Sequence, residues 1–240
     1  MSKLKDKISS LAASHADEVI SIRRYLHMHP ELAFKEHVTA RFIADKLTEY
    51  GISYQDKVAG TGIVGLINGR GKGNRVVALR ADMDALPISE KNEVEYRSLN
   101  EGLMHACGHD AHMACLLGAA RILQDIRDEF GGVVKLIFQP SEESYPGGAK
   151  VMIEEGVLEN PAPDVIIGQH VFPELDAGKI GMRPGKYMAS TDEVFITVRG
   201  RGGHAAIPDR VIDPVLIASH IVVALQQIVS RKASPVMPTV

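Results

Sequence analysis

The stretch 133-VVKLIFQPSEE-143 runs through apolar and β-branched residues, stops at Pro140 and closes on two adjacent carboxylates, Glu142 and Glu143. Its length and bounds predict a buried strand over 133–138 with acidic side chains just past its carboxyl end. Outward from it, strand-like runs fall at 62–67, 75–81 and 164–169. Apolar residues at helical spacing predict helices over 5–28, 36–50, 111–127 and 148–155, with Pro30 separating the first two. This alternation predicts an α/β fold: a mixed, mostly parallel sheet with helices on both faces. From Tyr187 the pattern restarts with a strand over 193–199, a turn at Gly200–Gly203, a helix over 214–230 and a turn into another strand over 233–240. The expected organisation is a metal-binding catalytic domain over 1–186 and an incomplete α+β unit over 187–240.

Ligands in open α/β sheets gather beyond the carboxyl ends of the strands. Asp82 and Asp84 follow the strand ending at Ala81, Glu142 and Glu143 follow the next, and His170 closes the strand over 164–169. The loop 104-MHACGHD-110 opens the helix over 111–127 and brings Cys107 and His109 to the same end. Each residue alone has a plainer reading, as a small buried thiol, a structural imidazole or a solvated acidic pair. Their convergence from four segments points to a metal site. A thiolate, two imidazoles and a carboxylate suit zinc, manganese, cobalt or nickel and not magnesium or calcium. Successive side chains in an extended segment diverge, so one of Glu142 and Glu143 can bind metal while the other takes a proton from water.

Composition excludes other classes. With 27 basic and 30 acidic residues, a net charge of -3 and no dense Lys/Arg patch, nucleic acid is excluded as a partner. The opening residues lack a continuous apolar signal segment. Residues 214–229 are interrupted by Ser219, His220, Gln226 and Gln227, which suits a buried amphipathic helix and falls short of a membrane span. A soluble, cytoplasmic protein is expected, and with it thiolate chemistry at Cys107 in preference to a disulfide with Cys115. Cys115 is expected in the core, His105 in loop structure, His112 beside the ligands or on the helix face, and His27 and His29 in capping and packing. A metal-free cysteine hydrolase, with Cys107 as nucleophile and His109 or His170 as base, also fits the residues.

Six ordered motifs carry a resemblance: LHMHPEL at 26–32, RADMDALPI at 80–88, MHACGHDAHMA at 104–114, FQPSEE at 138–143, GQHV at 168–171 and GRGGHAAIP at 200–208. Together they resemble the aminoacylase and carboxypeptidase G-type di-metal peptidase family, in its branch of N-acyl-amino-acid, hippurate and auxin-conjugate hydrolases. The resemblance implies two divalent ions with Cys107, His109, Glu143 and His170 as ligands, and Glu142 as general base. It implies that Asp84 supports a ligand, with Cys107 supplying the ligand that wider relatives place at Asp82. The smaller unit is similar to that family's lid, which implies dimerisation through it and an oxyanion-steadying role for His204. The substrate class implied is N-acyl amino acids or related small amides. Family members continue past the point where this chain stops and supply a further metal-binding histidine there. Two expectations follow: an amidohydrolase, or a catalytically silent metal-binding and dimerisation fragment.

Overall fold

In the computed structural model, which describes residues 2–188 and 194–233, chain contacts divide the molecule into two compact units, Met1–Glu174 and Leu175–Val240. The first unit runs α1 (Ser2–Ser14), α2 (Ala16–Met28), α3 (His37–Glu49), β1 (Ser53–Val58), β2 (Gly62–Asn68), β3 (Val76–Asp82), α4 (His109–Asp125), β4 (Val133–Gln139), α5 (Gly148–Glu154) and β5 (Val165–Gly168). The opening helical stretch breaks at His15, whose Nε2 lies 3.0 Å from Asp125 Oδ2.

The sheet order is β1-β2-β4-β3-β5. β3 pairs in parallel with both β4 and β5, while β2 runs antiparallel to β1 and β4, so every strand but β2 points the same way. This is the mixed sheet that the alternation predicts. β1 escapes sequence reading because its run SYQDKV has no apolar alternation; five of its six residues are exposed at the sheet edge.

β4 shows how the sequence sorts the two faces. Val134, Leu136 and Phe138 pack with Ile22 and Leu26 of α2, Ile43 and Leu47 of α3, and Met113, Leu117 and Ala120 of α4. Ile137 points the other way, into a smaller cluster with Val58, Ala78, Met152 and Val157. The period of two thus buries both faces of one strand. Lys135, on the second face, is only 2% exposed. Its Nζ donates to the carbonyls of Val157 at 2.8 Å and Glu159 at 2.7 Å, so its charge is solvated by the turn after α5.

Helix α4 begins at His109, two residues before the expected start, with Gly108 as its N-cap at φ 90°. A Cβ on Gly108 would collide with the Val171 side chain, so both the backbone angle and the space require glycine. The core stripe of α4 leaves Cys115 on the opposite face: it is exposed, contrary to the expected core position, because Met113, Leu116, Leu117 and Ala120 define the buried side.

The second unit holds a three-residue 3₁₀ turn, Pro208–Arg210, and α6 (Pro214–Gln227), which continues as a π turn over Ile228–Lys232. Asp213 caps α6 by accepting from the N–H groups of Val215 at 2.9 Å and Leu216 at 3.2 Å, ahead of Pro214. α6 has no buried residue, against the expectation of a buried helix. By length and composition alone Pro214–Lys232 is long and apolar enough to cross a membrane, a test that core helices of soluble proteins also pass. The expected strand over 193–199 is not formed at 194–199. A strand exists only as part of a ladder, and among the described residues these pair with none. Glu193 and the expected turn and strand over 234–240 lie outside the described residues.

Candidate metal centre

The carboxyl ends of β3, β4 and β5 lie side by side, with Asp82 in register with Gln139. Arg80 ties these two ends together: its Nε and Nη2 donate to Gln139 Oε1 at 3.0 and 2.8 Å, and Nη1 donates to Asp82 Oδ2 at 3.0 Å. Around this crevice the structure brings together Cys107, His109, Glu142, Glu143 and His170.

Two imidazoles are set in the same tautomer by backbone partners. His109 Nδ1 donates to the Asp84 carbonyl at 2.8 Å, and His170 Nδ1 donates to the Val171 carbonyl at 2.7 Å. Each therefore turns a bare Nε2 lone pair toward the crevice, the arrangement of a metal-binding histidine with its other nitrogen anchored. The Cys107 thiol donates to His170 Nε2 at 3.3 Å. His109 Nε2 lies 3.9 Å from Glu143 Oε1, 3.9 Å from Asp82 Oδ2 and 4.0 Å from Glu142 Oε2. These gaps are too wide for hydrogen bonds. Ligand atoms that share one ion, each about 2.1 Å from it, stand about 3–4 Å apart. His109 Nε2 and Glu143 Oε1 are buried and have no hydrogen-bond partner. Buried polar atoms left in that state are costly, and a cation satisfies both. On these donors the residues fit a divalent ion of the zinc, manganese, cobalt or nickel type.

The electrostatics agree. Burial, then the Glu143, Glu142 and Asp82 carboxylates, push the Cys107 thiol up to about 12. Burial, followed by Asp82 and Glu143, raises Glu142 above the usual carboxylate range. Burial opposes a charge on His109, but Asp84 and Asp82 outweigh it and raise that imidazole. In all three the neighbouring carboxylates push the same way, toward the protonated form.

Asp84 organises the acidic pair. Its Oδ1 accepts the Glu142 N–H and its Oδ2 the Glu143 N–H, both at 2.9 Å. Burial works against its charge, yet His109 and these two N–H groups hold its carboxyl below the ordinary range. His112 sits beside the candidate ligands: its Nε2 accepts the Val171 N–H at 3.0 Å, so Nδ1 carries the proton, 3.7 Å from Asp82 Oδ2. His105 is buried in the loop before Cys107.

His204 belongs to the second unit, where it is exposed in a loop closed by the Arg201–Ile212 bridge. Its Nδ1 accepts the Ala206 N–H at 3.1 Å.

Beneath the first turn of α4 lies a network that sequence reading missed. His27 Nδ1 donates to Asp110 Oδ2 at 2.7 Å, His27 Nε2 to Glu90 Oε1 at 3.0 Å, and Arg23 Nε to Asp110 Oδ2 at 2.9 Å. His29 does pack as expected, stacked on Tyr25 and donating to its carbonyl at 2.7 Å. His27 instead faces a carboxylate with each ring nitrogen, which favours its charged form. Asp110 is the largest cause of its raised pKa, with burial opposing and Glu90 assisting. A raised folded-state pKa gives stability that is full below about pH 6.5 and is lost as pH rises through the folded value. His27→Gln is thus expected to lower Tm most at pH 6, with the gap to the unmodified protein narrowing toward pH 9. Parallel Tm curves across that range would show that His27 is not charged in the fold.

Residues 78–239 match the profile of peptidase family M20/M25/M40. An N-acyl-L-amino acid amidohydrolase of Geobacillus stearothermophilus is 44% identical over 236 residues, covering 98% of this chain and 63% of that protein. An N-acetyl-L-cysteine deacetylase of Bacillus subtilis is 44% identical over 223 residues, covering 93% of this chain and 53% of the relative. A solved Bacillus subtilis structure described as a dinuclear metal-binding peptidase of the M20 family superposes with a TM-score of 0.68 at 41% identity, covering 72% of this chain and 48% of that one. The chain thus spans about three fifths or less of the length of these relatives. With the profile matched over most of the chain and the donor set at the strand ends in place, the chain belongs to peptidase family M20/M25/M40.

Proposed function

We propose that this chain is part of a metal-dependent amidohydrolase that cleaves the N-acyl amide bond of N-acyl-L-amino acids or related small amides, releasing a carboxylic acid and an amino acid. The observation that carries this reading is the pair of buried, unpartnered donors, His109 Nε2 and Glu143 Oε1, set beside a second carboxylate, Glu142. Cys107, His109, Glu143 and His170 would hold two divalent ions, of zinc, manganese, cobalt or nickel. When bound, such ions supply Lewis acidity that brings the acidity of water close to neutrality.

Glu142 is the general base. Its side chain is 43% exposed against 22% for Glu143, so it faces the space that substrate and water enter. Its raised pKa suits it to take a proton from water and pass it to the departing nitrogen. Asp84 holds the backbone of both glutamates, which fixes the course of the loop that carries them. His204, carried by the lid-like unit over 187–240, steadies the oxyanion, and the protein acts as a homodimer through that unit. The metal-free cysteine reading loses support from the Cys107 thiol: a nucleophilic thiolate needs a lowered pKa, and this one is pushed up to about 12.

The test is amino-acid release from a panel of N-acyl amino acids before and after a chelator. Release that stops with chelation and returns with Zn2+, Mn2+, Co2+ or Ni2+ is the expected result. Release indifferent to chelation would return the cysteine reading. Metal bound with no release would favour the silent-fragment reading.

A further inference from the structure

Three consecutive backbone N–H groups, those of Ser141, Glu142 and Glu143, end on two buried carboxylates. Asp84 takes the second and third. The first goes to Glu36, whose Oε1 accepts the Ser141 N–H at 2.8 Å and the Phe34 N–H at 3.0 Å, while Oε2 accepts the Thr61 hydroxyl at 2.6 Å. Glu36 is fully buried, yet among the described residues no basic side chain pairs with it. An acid so placed is expensive unless its acceptors are used. Ser141 itself stands at φ 48°, a left-handed angle that strains a non-glycine residue and persists only where the surroundings enforce it. Its carbonyl is pinned as well, accepting the Gly148 N–H at 2.7 Å. A Cβ on Gly148 would collide with the Pro140 carbonyl, so the turn closes tightly.

We infer that Glu36 is a positioning residue for the metal centre: by gripping Ser141 in its left-handed conformation, it sets the direction in which the Glu142–Glu143 pair leaves β4. Glu36 joins the entry to α3, the β1–β2 turn and the β4–α5 loop, and touches none of the candidate ligands. The inference rests on the reading of Glu143 as ligand and Glu142 as base.

The grip depends on reach and acceptor geometry. Glutamine keeps both, with its amide facing the Thr61 hydroxyl, which can turn to accept. Aspartate keeps the carboxylate and withdraws it by one methylene from Ser141. Thr61→Val removes a bond from the same carboxylate without touching the glutamate loop.

Co2+ is the probe, because its visible spectrum reports separately on thiolate ligation and on ligand geometry. In the full chain, Glu36→Gln and Thr61→Val are expected to bind Co2+ with unchanged affinity and spectrum. Glu36→Asp is expected to bind about 10- to 100-fold more weakly, the usual effect of losing an outer support of a metal site. Its d–d bands should shift while the thiolate charge-transfer band from Cys107 remains. If Glu36→Asp and Thr61→Val both lower Tm and neither moves the Co2+ spectrum, Glu36 serves the fold alone and the inference is wrong. Should the unmodified chain bind no Co2+, the metal reading beneath it fails first, a result distinct from any ranking among the variants.

Discussion

Replacing Glu142 with glutamine is expected to lower release of amino acid from an N-acyl amino acid by about 10²- to 10⁴-fold, the usual contribution of a positioned general base. The substitution conserves volume and backbone, and Asp84 bonds the residue through its N–H, so the loop keeps its course. What disappears is the capacity to accept a proton. Glu143 cannot replace it, since its Oε1 is buried against His109 with no partner but a metal to satisfy it. The loss should fall on kcat with KM little changed, and metal content should be unaffected. Glu142→Asp should recover part of the rate, because it restores the base at shorter reach. Steady-state kinetics on metal-saturated protein separates these cases. A Glu142→Gln variant within tenfold of the unmodified rate would assign the base elsewhere.

The second large effect is on stability. Asp110→Ala removes the carboxylate shared by His27 and Arg23 in the buried network under α4. Breaking a buried ion pair by removing one partner costs about 3–5 kcal/mol, because the remaining charge is left uncompensated. Here Glu90 still faces His27 Nε2, and the Arg23 side chain is 34% exposed and can rehydrate. The expected loss therefore lies near the lower end, about 3 kcal/mol. For a chain of this size that is a fall in Tm of about 6–12 °C. Denaturant titration at pH 6–7 measures it, and a loss below 1 kcal/mol would mean that the network is not formed. Asp110 also follows His109 in the first turn of α4, so weaker metal binding should accompany the loss.

The strand run at 133–138, the helical spacing around it and the polar residues at strand ends were readable because each depends on near neighbours in sequence. So was the convergence of Cys107, His109, Glu142, Glu143 and His170, which follows from the rule that strand carboxyl ends share one edge. Other features depend on partners far along the chain. β1 is polar and exposed, and only its pairing with β2 makes it a strand. Residues 194–199 have strand composition and no ladder among the described residues. The roles of Glu36 and His27 lie in bonds to Ser141, 105 positions away, and Asp110, 83 positions away, which no local pattern announces. Cys115 sits in an apolar run, and the packing of Met113, Leu117 and Ala120 into the core decides its exposure. One signal was available for His27 and Asp110: an acid and a histidine at positions that helical periodicity places on buried faces ask for partners.

The most direct test of the central claim is elemental analysis of the purified chain, dialysed after loading with Zn2+, beside Glu142→Gln and His109→Ala. The account predicts bound metal in the unmodified chain, the same amount in Glu142→Gln and a loss in His109→Ala. A chain that holds no metal, or one whose metal is lost with Glu142 and kept without His109, would contradict it.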